Sequence, residues 1–254
     1  MKCSYISTRP KGNKLVPGWV GKIISWRDDL LHLVFPETCL ACDRELVAGS
    51  LHLCPFCEAD LKYTYFEKFA EPSSLDKLFW GRVQLHSTCA LLEFEKASGT
   101  QGILHAIKYK GKKALAVEMG SRFGQRLLVN PEKYGSIDAL IPVPLHPKKR
   151  FARGYNQSEL IAEGIFKSTS VPVITDLLTK GVHTESQTRK GRFRRWDNVS
   201  DVFHANAVKY KVLKHIALID DVVTTGATLE SCIRTISVAL PDTRITVLSL
   251  AVTK

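Results

Sequence analysis

The sequence predicts an α/β fold, a mostly parallel sheet flanked by helices, joined to a small unit built around four cysteines. Three observations predict it. In the C-terminal two thirds, short apolar runs such as IALI (216–219) and RITVLSLAV (244–252) alternate with stretches of helical periodicity such as TLESCIRTISVAL (228–240). The run at 216–219 ends in two acids and a Thr/Gly-rich turn, at the strand end where sheets of this kind hold ligands. Two CxxC pairs, Cys39/Cys42 and Cys54/Cys57, precede the alternating region.

With 254 residues the chain can bury a substantial core as one large domain or a medium domain with an appendage, so disulfides are not needed for stability. A composition of 44% hydrophobic and 24% charged residues is ordinary for a globular protein, and neither a fixed-period repeat nor a low-complexity tract interrupts it. No apolar run approaches the roughly 20 residues that cross a bilayer, and residues 1–14 lack the apolar core of a secretory signal. The expectation is a cytoplasmic protein without a membrane span. A net charge of +11 and a pI near 9.3 favour polyanionic partners. The positive residues concentrate in KYKGKK (108–113), HPKKRFAR (146–153) and TRKGRFRR (188–195).

In chain order, residues 1–35 form an N-terminal segment. Within it, Val20, Ile23, Ile24, Leu30, Leu31 and Val34 recur at near-helical spacing over 17–35, while Arg27, Asp28 and Asp29 give a mixed polar face. Residues 36–66 hold the cysteines. Four thiolates at positions 39, 42, 54 and 57 suit one tetrahedral Zn²⁺, with reduced pairs or disulfides as the alternatives, and an all-cysteine site leaves no open position for catalysis. A linker-like EKFAEPSSLDK (67–77) leads into the domain at 78–254. There the expected elements are a strand or hairpin at 83–95, helices at 99–111 and 116–129, a buried strand at 137–145 and a helix at 156–167. A short strand at 171–178, a strand at 215–220, a helix at 228–240 and a final strand at 244–252 complete the series.

The segment after the strand at 216–219 carries the most chemistry. Asp220 and Asp221 emerge at the sheet rim, and the turn through Thr224, Thr225, Gly226, Ala227 and Thr228 offers hydroxyls, a flexible glycine and free amides at a helix start. Phosphate fits the amides, whereas two carboxylates repel it, so a ligand with polyol hydroxyls beside its phosphate satisfies both. A sugar phosphate is such a ligand. The alternative is an Asp-capped helix after an ordinary Thr-Gly turn. No Gly-Lys-Ser/Thr follows, so the loop is not of the Walker A kind.

The pattern of four apolar residues, Asp220-Asp221, two valines and Thr-Thr-Gly-Ala-Thr closely resembles the phosphoribosyl-pyrophosphate motif of type I phosphoribosyltransferases. That resemblance implies that Thr224, Thr225, Gly226, Ala227 and Thr228 hold the 5-phosphate. It also implies that Asp220 and Asp221 face the ribose hydroxyls and that Mg²⁺ bridges these and the pyrophosphate.

Upstream, IPVPLHPKKRFARGYNQSELIA (141–162) corresponds to a first strand and pyrophosphate loop, with Lys148, Lys149, Arg150 and Arg153 as anion contacts. It carries Pro142, Pro144, Pro147 and bulky cations where many transferases have small residues. Arg153-Gly154-Tyr155-Asn156-Gln157, together with Lys108-Tyr109-Lys110-Gly111, the cysteine unit and QTRKGRFRRWDNVSDVF (187–203), resembles the ComF family, also called ComFC, of competence-associated proteins. The likeness runs in the same order from about Pro36 to the C-terminus. It implies a type I phosphoribosyltransferase-like domain behind a structural zinc ribbon, acting on single-stranded DNA during natural transformation, with DNA-uptake proteins as further partners. The stretch 187–198 occupies the place of a mobile substrate loop, where Arg189 and Arg192, with Lys108, are the candidate catalytic cations. Arg189, Arg192 and Arg195 beside Phe193 and Trp196 also suit contact with single-stranded bases. Two alternatives stand beside this reading: an active phosphoribosyltransferase of nucleotide metabolism, and a non-catalytic sugar-phosphate-sensing adaptor.

Overall fold

The computed structural model describes residues 38, 39, 41–46, 52–69, 71–96, 98–181 and 203–253. The chain divides into two compact units, Met1–Thr38 and Cys39–Lys254, and all elements below belong to the second. The expected helix at 17–35 and the loop at 187–198 lie outside the described residues.

Four parallel strands form the main sheet: β1 (Ser87–Phe94), β2 (Ala139–Pro142), β5 (His215–Val223) and β6 (Arg244–Thr253), in the order β1-β6-β5-β2. The register pairs Ser87 with Thr246, Ile216 with Ile245 and Ala139 with Ile216. The central strands are continuous apolar runs because helices cover both faces. Along β5, Ala217 and Ile219 join one core with Leu91, Ile103, Met119 and Ile161. Ile216 and Leu218 join the other, with Ile141, Leu229, Ile233 and Val247. The two-residue alternation of a strand thus distributes one apolar run between two cores.

Around the sheet lie α1 (Pro55–Ala59), α2 (Ser74–Phe79), α3 (Gly99–Tyr109), α4 (Lys113–Leu127), α5 (Pro131–Tyr134), α6 (Pro147–Arg153), α7 (Gln157–Thr169) and α8 (Ala227–Ala239). Helices α4 and α7 meet backbone to backbone: a Cβ at Gly120 would lie 2.2 Å from the Ile161 carbonyl oxygen, and one at Gly164 2.1 Å from that of Val117. Only glycine permits this approach.

Several expectations are redrawn. Of the strand or hairpin expected at 83–95, the structure shows the strand, over Ser87–Phe94. Part of the stretch read as linker is α2, started by a reciprocal cap in which the Ser73 hydroxyl accepts from the Asp76 amide and the Asp76 carboxylate accepts from the Ser73 amide. The cationic stretch read as a loop contains α6, which has Pro147 in its first turn and ends at Gly154 in the left-handed region (φ +74°). The strand expected at 171–178 is reduced to a bridge between Val173 and Leu140. Beyond it, β3 (Leu178–Lys180) pairs antiparallel with β4 (Phe203–Ala205), so the chain leaves after Gly181 and returns at Phe203 on adjacent strands. Periodicity cannot detect three-residue strands.

Candidate functional site

The parallel sheet places the C-terminal ends of β5 and β2 at one rim, and the sequence supplies its polar residues there. Asp220 and Asp221 are half-buried at the end of β5, and Val223 dips back into the core. An Asp220 carboxylate oxygen accepts the Asp221 amide at 2.9 Å and lies 3.5 Å from the Ser158 hydroxyl in the first turn of α7. Lys108, near the end of α3, places Nζ 3.0 Å from a carboxylate oxygen of Asp221. Burial is the largest influence on Asp220 and the Asp221 charge the next. They push its carboxyl up to about 7, against the opposing pull of the Asp221 amide, Lys108 and Ser158. One cation between two carboxylates leaves local negative charge, the condition under which a divalent ion or ligand hydroxyls are attracted.

Next to the acids, the turn delivers the chain into α8. Gly226 caps the helix at φ +73°, and a Cβ there would lie 2.9 Å from the Phe79 ring, so both backbone conformation and space demand glycine. Thr224, Thr225, Ala227 and Thr228 are exposed. The Thr225 hydroxyl accepts the Ala227 amide at 3.4 Å, and Glu230 N–H donates to the Gly226 carbonyl at 2.8 Å. The Thr228 and Leu229 amides make no hydrogen bond among the described residues, as expected at a helix start. These free amides at a helix start stand one turn from two acids.

Two supports of this turn escaped sequence reasoning because they lie just after the stretch read as a linker, where no element was expected. Phe79 of α2 lies beneath Gly226. Arg82 donates through Nη1 to the Thr225 carbonyl at 2.8 Å and to that of Leu78 at 3.1 Å, and through Nε to Glu230 at 2.9 Å. It is a positioning residue, braced between α2, the turn and α8. A lone arginine after a polar stretch carried no sequence signal for that role.

The other expected contacts divide. Arg150 forms a two-pronged ion pair with Glu159, at 3.0 and 3.3 Å. Arg153 donates to Gln157 Oε1 at 2.9 Å and stands 5.4 Å from the centre of the Tyr109 ring. Both are committed to structure, whereas Lys148 and Lys149 are exposed and unpaired among the described residues. Arg189, Arg192 and Arg195 lie outside the described residues.

The four cysteines converge. Their sulfurs all lie within 4.8 Å of one another, and Cys42 Sγ and Cys54 Sγ are 3.7 Å apart. Zn–S bonds of about 2.3 Å in a tetrahedron require S···S distances of about 3.8 Å, so the donor set fits zinc. Amides point at the sulfurs as in thiolate sites: Cys54 N–H donates to Cys39 Sγ at 3.3 Å and Cys57 N–H to Cys54 Sγ at 3.5 Å. Burial pushes the Cys39 thiol up, but hydrogen bonds from the backbone of Cys54, Cys42 and Ala41 outweigh it and bring the group down to about 7. Zinc here is structural, since four protein sulfurs fill its coordination.

The first basic cluster joins the two sites. Asp43, directly after the first CxxC pair, lies 2.6 Å from Lys110 Nζ and 3.2 Å from Lys112 Nζ, while Lys108 of the same segment reaches Asp221. KYKGKK is therefore largely an internal bridge between the cysteine unit and the rim.

Comparison with known proteins gives a consistent picture. A family profile described as a double zinc ribbon domain matches residues 30–71. Only four cysteines fall within that span, enough for one such site. The chain is 32% identical over 93 residues to competence protein F of Haemophilus influenzae, covering 36% of this chain and 41% of that protein. It is 24% identical over 221 residues to competence protein ComFC of Bacillus subtilis, covering 83% and 82%. Similarity to the DNA utilization protein YhgH of Escherichia coli K12 is 23% over 208 residues, covering 78% and 89%. The chain thus spans less than half of the Haemophilus protein but most of the other two.

Proposed function

We propose that this chain, a member of the ComF/ComFC family, binds phosphoribosyl pyrophosphate with Mg²⁺ at the β5–α8 rim and handles single-stranded DNA in competence. The observation that carries the ligand half is the adjacency of the acid pair to the Gly226–Leu229 anion cradle, because a phosphoribosyl group presents its 5-phosphate and its ring hydroxyls that close together. In this reading the amides and the Thr224, Thr225 and Thr228 hydroxyls hold the 5-phosphate, while Asp220 and Asp221 orient the ribose hydroxyls. Bound Mg²⁺ would neutralise pyrophosphate charge. The DNA half is supported by relatives named for competence and DNA utilization and by the net charge of +11. The zinc ribbon would hold its knuckle against the Lys110–Lys112 turn and thereby fix the end of α3 that bears Lys108.

Two measurements test the halves separately. Calorimetry with phosphoribosyl pyrophosphate and Mg²⁺ is expected to show binding that Asp220→Asn with Asp221→Asn abolishes. A labelled oligothymidylate is expected to bind more weakly as salt rises, and binding that ignores salt would remove the DNA half.

A second reading, an active phosphoribosyltransferase, is favoured by one observation: Lys108 stands at the acid pair, and Asp220 is held near neutrality. Under it, pyrophosphate is released in the presence of a base or amine acceptor and the double Asn variant is silent. A broad acceptor panel without turnover leaves the binding function alone.

A further inference from the structure

The short helix α6 has two unlike faces. Arg150 and Arg153 lie three residues apart on one side and are spent on Glu159, Gln157 and Tyr109, docking the helix against α7 and the end of α3. Phe151 and Lys148, also three apart, occupy the other side. No α6 residue is buried, and Phe151, 92% exposed, is the most exposed large apolar side chain among the described residues. A phenylalanine held in water forgoes the gain of burial, and nothing among the described residues covers it. Three and two residues before it, Lys148 and Lys149 are exposed cations without an ion-pair partner among the described residues. The segment that follows it is fixed at the rim, since Asn156 Nδ2 at the start of α7 donates to the Val143 carbonyl at 3.0 Å and Ser158 reaches Asp220.

An exposed aromatic ring on a docked helix, with the unpaired Lys148 one turn before it on the same side and Lys149 nearby, matches the chemistry of an unpaired nucleobase next to backbone phosphates. We propose that Phe151 is a stacking platform for a base of single-stranded DNA, with Lys148 and Lys149 contacting the adjacent phosphates. This rests on the reading that the chain handles single-stranded DNA, and it assigns that contact to the outward face of α6. An apolar protein partner fits less well, because it would bury two unpaired lysines beside the ring. Duplex DNA offers no free base face.

The test uses the full chain and a fluorescent oligothymidylate, titrated by anisotropy at several salt concentrations. Phe151→Ala is expected to weaken binding roughly 5- to 100-fold, the range for loss of one base–aromatic stack, with the slope of log affinity against log salt unchanged. Phe151→Tyr should restore binding. Lys148→Gln with Lys149→Gln should weaken binding and reduce the slope by about 1.4, two phosphate contacts at roughly 0.7 each. Preference for single-stranded over duplex DNA should fall in Phe151→Ala. If the wild type binds and Phe151→Ala binds equally well, the platform is refuted while the DNA reading stands, and the ring belongs to another partner. A melting temperature several degrees lower in Phe151→Ala would show that the chain itself covers the ring, which also overturns the proposal. Failure of the wild type to bind removes both.

Discussion

Replacing Asp220 with Asn is expected to stabilise the free protein at alkaline pH while destroying ligand binding. Asp220 has an ordinary carboxyl value of 3.8 and is pushed up to about 7 in the fold, chiefly by burial and then by Asp221. At 1.36 kcal/mol per pH unit that difference corresponds to about 4 kcal/mol for a carboxylate cut off from water. The residue keeps part of its surface, so roughly half, about 2 kcal/mol, is the appropriate magnitude after screening. The sign follows from the raised value. The folded state binds the proton more tightly than the unfolded chain, so this contribution to stability is complete below about 3.8 and is lost as pH rises through about 7. Asn has no such proton to lose. The stability difference between Asp220→Asn and the wild type should therefore grow in favour of the variant from pH 5 to pH 8. It should reach about 2 kcal/mol, or roughly 4–8 °C in melting temperature for a chain of this size. Calorimetric melts of both proteins without ligand, across that pH range, measure it directly. Because the remaining titrating groups are shared, the difference isolates this carboxyl and its neighbour Asp221. A gap that stays constant between pH 5 and pH 8 would refute the reasoning, since it would mean that Asp220 titrates alike in both states. A confirmed gap would identify a carboxylate kept at a cost to stability.

Other expectations follow from the same geometry. Metal analysis should find one zinc per chain, lost in Cys39→Ser; a fully folded wild type containing none would refute the site. Gly164→Ala places a methyl where only 2.1 Å separates it from the Val117 carbonyl oxygen, so α4 and α7 must part. After about 1 kcal/mol of helix-propensity gain, a net loss of roughly 1–3 kcal/mol should appear in urea denaturation, and an unchanged midpoint contradicts the packing. His215 is fully buried between Ser136 and Thr246, each at 2.8 Å from a ring nitrogen, and burial, then His86 and Arg244, lower it to about 4. Its contribution is present above the unfolded value of 6.5 and lost as pH falls toward 4. The wild type should therefore lose stability across that window more steeply than His215→Gln, and parallel acid limbs in urea melts would exclude His215 as the cause.

The sequence by itself determined the features that reside in contiguous residues. The apolar runs of β5 and β6 read as buried strands, the spacing of Cys39, Cys42, Cys54 and Cys57 specified a four-thiolate set, and Asp220-Asp221 before a Thr/Gly turn marked the polar rim at the end of β5. Each rests on a period or spacing that the local chain enforces. Tertiary structure decided which residues serve that rim and which are occupied elsewhere. Nothing local distinguishes Arg150 and Arg153, which face Glu159 and Gln157, from Lys148 and Lys149, which face solvent. Likewise, Arg82 supports Thr225 across 143 residues, Phe79 makes Gly226 obligatory, and Asp43 meets Lys110 across 67. These pairings arise only when the parallel crossovers bring distant segments to one edge of the sheet, because side-chain hydrogen bonds and ring contacts depend on where the backbone ends up in space and not on order along the chain.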